Sequence, residues 1–263
     1  MDINDFYYKE GEQPLDRLVT DGGFCGIFRT IGIIGDSLSS GEFESFHEGI
    51  RGWHDFYDYS WGQYIAREAG CKVYNFTRGG MTAEEFIKSF SAHCKAFDYD
   101  NLCQAYIIAL GVNDINGKLE VGEAKSAFEN AVIPEAPAIM DYYGAIIKNI
   151  KRKQPDAKIF LVTLPNDTTW TDEKKVEKRS YLNAQIGELA ELYENTYIID
   201  LEKYAPEYDE KFKKTFFLGH MTATGYMLTA KMVMSYIDYI IRKYPKDFSQ
   251  VGFIGTPYKY ELE

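Results

Sequence analysis

Four segments of the sequence combine the residue types that acyl transfer requires. The first carries Ser37 in the letters GDSL, the second ends in Gly79-Gly80, the third carries Asn113, and the fourth carries His220. A serine hydroxyl attacks a carbonyl carbon when a base such as histidine takes its proton, and N–H groups stabilise the oxyanion that forms. The four segments therefore hold a candidate nucleophile, base and oxyanion hole, provided that the fold brings them together.

The elements that would position these residues alternate along the chain. Short apolar runs predict buried strands, and longer stretches with an apolar stripe every three or four residues predict helices. Thr82 and Glu85 also have the spacing of a capping box at one helix start. The predicted strands are Phe28–Ile34, Cys71–Phe76, Gln104–Leu110, Lys158–Leu164 and Thr196–Asp200, and the predicted helices are Trp61–Ala69, Thr82–Phe97, Pro134–Lys153, Lys174–Tyr193 and Thr222–Lys243.

This alternation predicts an α/β protein with a parallel sheet between two layers of helices. Sites in such folds form beyond the carboxyl ends of the strands. Ser37 lies just past the end of the first predicted strand, and Gly80 and Asn113 follow the second and third. The 263 residues fit a single domain, with residues 1–27 as an irregular N-terminal extension.

The order of the four segments resembles the GDSL or SGNH hydrolase family, and the resemblance spans residues 35–226. It implies a flavodoxin-like fold with five parallel strands in the order 2-1-3-4-5. It also implies that Ser37 is the nucleophile and His220 the base, and that the N–H of Ser37, the N–H of Gly80 and the side chain of Asn113 form the oxyanion hole. Such an enzyme needs no metal and no organic cofactor.

One position departs from the family pattern. An aspartate usually stands three residues before the histidine, but Phe217 occupies that position here. Phenylalanine cannot accept a hydrogen bond from the imidazole. We therefore expect a Ser37–His220 dyad whose imidazole is held by a main-chain carbonyl, with a carboxylate from elsewhere in the chain as the alternative.

Several other interpretations of the same residues are weaker. The lipase elbow G-x-S-x-G is absent because residue 39 is a serine, and neither G-x-G-x-x-G nor a P-loop is present for nucleotide binding. His47, Glu48 and His54 lie close together, but H-E-x-x-H fails because residue 51 is an arginine. These are better explained as solvated residues of a long loop, 41–60, whose aromatic side chains could wall a pocket beside Ser37.

The composition limits the classes of molecule that the protein is expected to bind. The net charge of −11 would repel nucleic acid and anionic membranes, so a small molecule or a carbohydrate ester is the expected substrate. The four cysteines have no metal-binding spacing and predict reduced thiols. The first residues lack a basic start followed by an apolar block, so no signal peptide is visible and a cytoplasmic protein is expected.

The function predicted from these observations is ester hydrolysis through an acyl-enzyme, with carbohydrate deacetylation as the favoured reaction. Abundant aromatic residues (16%) would suit stacking on sugar rings. Hydrolysis of a lipid ester or a thioester is an alternative. A carbohydrate-binding protein without catalysis is another, motivated by Phe217.

Overall fold

The computed structural model describes residues 3–261, and a parallel sheet forms their centre. Its five strands lie in the order β4-β1-β5-β6-β7, which confirms the predicted order 2-1-3-4-5. Two further pairs of strands are antiparallel. The strands are β1 Thr30–Gly35, β2 Glu42–His47, β3 Ile50–Asp55, β4 Lys72–Thr77, β5 Ala105–Ala109, β6 Lys158–Val162, β7 Thr196–Ile199, β8 Phe217–Leu218 and β9 His220–Met221.

Helices cover both faces of the sheet. The α-helices are α1 Ser37–Ser40, α2 Trp61–Ala69, α3 Ala83–Glu85, α4 Ser91–His93, α5 Val112–Asn116, α6 Ala124–Glu129, α7 Ile139–Lys153, α8 Glu173–Leu192, α9 Leu201–Tyr204, α10 Glu210–Phe216 and α11 Ala223–Lys243. A π-helical turn spans Phe86–Phe90, and 3₁₀ turns span Ile3–Phe6, Gly23–Ile27, Tyr57–Tyr59, Tyr99–Asn101, Pro245–Phe248 and Val251–Phe253.

The sheet separates two hydrophobic cores. Successive side chains of a strand point to opposite faces, so Ile107 of β5 packs with α2 and α11, whereas Ile108 packs with α7 and α8. Both side chains are fully buried. This burial on two faces explains why the strands are almost entirely apolar and could be located from the sequence.

Two predicted helices differ from those observed. The helix predicted over 82–97 begins as expected, with the Thr82 hydroxyl accepting from the Glu85 N–H at 3.1 Å. It passes through the π turn and stops at His93, and Lys95 then adopts a left-handed φ of 55°. The helix predicted from residue 134 begins only at Ile139. Pro137 disfavours helical backbone in the residue before it, which delays the start.

Residues 42–55 form a β-hairpin that the sequence analysis treated as part of a loop. Strands β2 and β3 pair from Glu42 opposite Asp55 to His47 opposite Ile50. The turn consists of Glu48 and Gly49, whose φ angles are 51° and 79°. Positive φ at both central residues matches the twist of an antiparallel pair, which is why short hairpins use such turns.

No helix within residues 3–261 combines the length and the apolar character needed to cross a membrane.

Candidate active site

The serine of the GDSL segment starts a short helix at the end of a buried strand. Strand β1 ends at Gly35, and the Asp36 carboxylate caps α1 by accepting from the Leu38 N–H at 3.0 Å. Ser37 is the first residue of that helix and is 7% exposed. The cap thus anchors the backbone on which the hydroxyl is carried.

His220 reaches this serine from a distant part of the chain. Its Nε2 lies 3.1 Å from the Ser37 Oγ, although 183 residues separate the two. The histidine belongs to β9, which turns back on β8 through Gly219 at a φ of 75°. Thr222 then caps α11 by accepting from the Gly225 N–H at 3.3 Å, so the imidazole is carried between a tight turn and a capped helix.

The two other predicted segments are connected to each other. Gly80 adopts a φ of 73°, and the space where a Cβ would lie is open. Asn113 is in the first turn of α5, and its Nδ2 donates to the Met81 carbonyl at 3.1 Å. That bond fixes the amide next to the Gly80 loop and leaves a second N–H of Asn113 for other acceptors.

The second ring nitrogen of His220 has no hydrogen bond to any described residue, and it is buried. The structure therefore does not show the main-chain carbonyl contact expected from the sequence. Phe217 supplies no alternative, because its ring packs in a separate aromatic cluster, 5.9 Å from the ring centre of Tyr208 and 6.4 Å from that of Phe212.

Two carboxylates from the hairpin face the imidazole, and the sequence analysis missed both. A Glu42 oxygen lies 3.0 Å from Nε2, and a Glu44 oxygen lies 3.6 Å from Nδ1. The other oxygen of Glu44 pairs with Arg51 Nε at 2.7 Å. The Glu48-Gly49 turn signal could have revealed the hairpin, but nothing in the sequence pattern indicates which hairpin residues contact His220.

Burial changes the acidity of the carboxyl groups around Ser37. It raises the pKa of Asp36 to about 7 and that of Asp114 to about 6. It also raises the pKa of Glu42, against the opposing influence of His220. Removing these groups from water disfavours their charged forms. Of these groups, Asp36 has the pKa closest to neutral pH, so part of this carboxyl is protonated there.

The sheet order, with a serine after the first strand and a histidine before the last helix, defines an SGNH-type α/β hydrolase fold. Residues 33–228 match the model of the GDSL-like lipase/acylhydrolase family. This match covers most of the 263 residues, and the chain belongs to that family.

Solved structures of similar fold include several esterases. A family two carbohydrate esterase from Clostridium thermocellum, in complex with cellohexaose, is 16% identical, with 83% of this chain and 65% of that chain covered and a TM-score of 0.59. The acetyl xylan esterase AlAXEase is 14% identical, with 79% and 99% covered and a TM-score of 0.53. A possible lipase from Chitinophaga pinensis is 15% identical, with 82% and 98% covered and a TM-score of 0.54.

The chain spans 63% and 65% of two C. thermocellum family two esterase chains, so it matches only part of their length. At these identities the likeness concerns the fold. Comparison with curated protein sequences gave no match.

Proposed function

We propose that the protein is a serine esterase that removes short acyl groups from neutral carbohydrate esters. The observation that carries this proposal is the 3.1 Å contact between the Ser37 hydroxyl and the His220 imidazole. This is the distance at which a histidine can take a proton from a serine as it attacks. Membership of the acylhydrolase family supports the same chemistry.

In the proposed mechanism His220 takes the Ser37 proton while Oγ attacks the ester carbonyl. The Ser37 and Gly80 N–H groups and the free amide N–H of Asn113 stabilise the oxyanion. His220 then protonates the leaving alcohol, and the same imidazole activates the water that releases the acid. The mechanism uses only groups of this chain and calls for no cofactor.

Charge and surface support a neutral sugar ester as the substrate. Glu42 and Glu44 both lie within 4 Å of the imidazole, and an anionic substrate would meet their repulsion. Trp53 and Phe46 project from the hairpin with 57% and 72% of their surfaces exposed. Exposed aromatic rings offer flat apolar surfaces for sugar rings. The solved carbohydrate esterase with bound cellohexaose is consistent with such a ligand.

A small cavity supports a short acyl group. It has a volume of about 70 Å³, and its lining includes neighbours of both reacting residues, Leu38 beside Ser37 and Met221 beside His220. We propose that it receives the acyl chain. A larger cavity of about 750 Å³ lies between the N-terminal segment, the end of α2 and α11, and unlike the small cavity it is lined by no residue adjacent in the chain to Ser37 or His220.

The test is hydrolysis of p-nitrophenyl esters combined with labelling by a fluorophosphonate. The wild type should hydrolyse the acetate faster than the octanoate and should be labelled. Ser37→Ala should lose activity by about 10⁴-fold or more and should not be labelled. Ser89→Ala, which removes an exposed hydroxyl that donates to the Glu85 carbonyl, should retain both properties. Equal activity of Ser37→Ala and wild type would overturn the proposal, and glycan binding without labelling would favour a binding protein.

A further inference from the structure

We propose that Glu44, on the β2–β3 hairpin, is the positioning residue that orients the His220 imidazole in place of the missing aspartate. This inference rests on the proposed esterase function. Phe217 stands three residues before His220, where the family resemblance implies an aspartate, and its side chain provides no acceptor. The Nδ1 of His220 is nevertheless buried, and a buried donor without an acceptor is unfavourable.

The geometry selects one acceptor for that nitrogen. A Glu44 oxygen lies 3.6 Å from Nδ1, whereas the Glu42 carboxylate lies 3.0 Å from the other nitrogen, Nε2, which must face Ser37. A hydrogen bond requires a separation of 2.7–3.2 Å. Contacts of this kind are often long in free enzymes and shorten when substrate binds, so a shift of about half an ångström would complete it.

Glu44 is itself held in place. Its side chain is 15% exposed, and its second oxygen accepts from Arg51 at 2.7 Å across the hairpin. A Cβ on Gly219 would lie 2.1 Å from the Glu44 oxygen that faces Nδ1. The glycine immediately before the histidine thus makes the space in which this carboxylate approaches the ring.

The role follows from the chemistry of imidazole. A carboxylate at Nδ1 keeps the proton on that nitrogen, leaving Nε2 free to accept the serine proton, and stabilises the imidazolium that forms. Glu42 cannot hold the proton on Nδ1, because its carboxylate contacts Nε2, the nitrogen that receives the serine proton. Two neighbouring acids on one strand therefore have different expected effects.

The experiment compares Glu44→Gln with Glu48→Gln, a matched control that removes an exposed carboxylate at the turn of the same hairpin. We expect Glu44→Gln to lower kcat on p-nitrophenyl acetate with little change in KM, by at least about 10-fold and by up to the roughly 10⁴-fold that loss of a triad carboxylate costs. We expect Glu48→Gln to stay within about threefold of the wild-type kcat.

The pH profile of kcat/KM distinguishes a loss of imidazole orientation in Glu44→Gln from a folding defect in that variant. The groups that face the imidazole are Glu42 and Glu44, and Arg51 pairs with the latter. Removing the Glu44 charge disfavours the protonated ring, so the acid limb should move to lower pH in Glu44→Gln. A variant that is only partly folded would lose kcat without this movement.

A wild-type structure with a phosphonate bound to Ser37 provides a measurement that needs no variant. We expect the Glu44–Nδ1 distance to fall below about 3.2 Å in that adduct. A distance that stays above 3.5 Å, or a Glu44→Gln kcat within threefold of wild type, overturns the inference. If Ser37→Ala keeps its activity, or no adduct forms, the esterase proposal itself fails instead.

Discussion

Two regions of the molecule contact His220, and they are built on different principles. The parallel sheet is buried on both faces, and Ser37 follows its strand β1 directly. The β2–β3 hairpin is mostly exposed, yet it supplies both carboxylates that face the imidazole. Hydrophobic burial stabilises the sheet. The hairpin is held by its turn and backbone pairing, by the Glu44–Arg51 ion pair, and by Phe43, whose ring centre lies 5.7 Å from that of Tyr226. The site therefore joins a sheet buried on both faces to a largely exposed hairpin that is anchored at the start of β2, where the Tyr226 hydroxyl donates to the Glu42 carbonyl at 2.6 Å.

The largest expected difference between the two regions is in stability. Phe160 of β6 is fully buried, with its ring centre 5.7 Å from that of Tyr197. Phe160→Ala should lower the free energy of unfolding by about 3–5 kcal/mol, because it removes a large buried side chain and leaves a cavity. The matched change in the hairpin, Phe46→Ala, should cost less than about 0.5 kcal/mol.

Urea denaturation measures both values. A cost above about 1 kcal/mol for Phe46→Ala would show that the hairpin unfolds as one cooperative unit with the sheet, and the contrast between the two regions would have to be abandoned.

The next largest effect is expected on catalysis, from Asn113 in the helix that follows β5. Asn113→Ala should lower kcat on p-nitrophenyl acetate by about 10²–10³-fold, because it removes a donor proposed for the oxyanion. Asn116→Ala is a matched control in the same helix, since its amide donates to the Val112 carbonyl at 3.0 Å and faces solvent. Equal kcat values for these two variants would exclude Asn113 from the oxyanion hole.

The pH dependence of the free energy of unfolding tests the buried carboxyl of Asp114, in the helix that follows β5. Burial raises the pKa of Asp114 to about 6, above its value in the unfolded chain. The folded state then binds the Asp114 proton more tightly than the unfolded chain does. Protonated Asp114 therefore adds to the free energy of unfolding below about pH 4, and this contribution is lost as pH rises through about 6. Relative to Asp114→Asn, the wild type should lose on the order of 2 kcal/mol between pH 4 and pH 8.

Urea midpoints of the two proteins across that range provide the measurement. Parallel curves would mean that Asp114 ionises at its ordinary pH despite being 4% exposed.

The smallest effect should fall on the hairpin surface. Trp53 lies opposite Glu44 in the antiparallel pair and is 57% exposed. Trp53→Ala should raise KM for an acetylated xylo-oligosaccharide by about 2- to 10-fold, the value of one stacking contact, and should leave KM for p-nitrophenyl acetate unchanged. Tyr99→Ala removes an exposed aromatic outside the hairpin and should change neither KM. A similar rise for both substrates would argue against sugar stacking.

The strands that the sequence predicted correctly are buried on both faces of the sheet. The runs that became β1, β5 and β6 are continuous and apolar, because helices cover both faces of the sheet. The exact ends of the strands differ from those predicted. Strand β1 begins at Thr30 rather than at Phe28, since Phe28 ends a 3₁₀ turn. Such ends depend on local hydrogen bonds that apolar periodicity does not record.

The β2–β3 hairpin was not predicted from the sequence. Its strands carry no continuous apolar run, and both faces are largely wet, so periodicity indicated a loop. Only the Glu48-Gly49 turn distinguishes it, and that signal is weaker than Asn-Gly or Asp-Gly. The expectation that residues 41–60 lie beside Ser37 agrees with the contacts of Glu42 and Glu44, but their chemistry could not be read from the pattern.

By itself the sequence determined the sheet, the order of its strands through the family resemblance, and the four segments that follow or precede its elements. The strands and the four segments are local properties, because each depends on residues adjacent in the chain, whereas the strand order came only from the resemblance. Only the tertiary structure decided which groups meet the two nitrogens of His220. Contacts between distant residues depend on how the elements pack. Successive side chains of β2 point to opposite faces, so a shift of one residue in its pairing would turn Glu44 away from Nδ1.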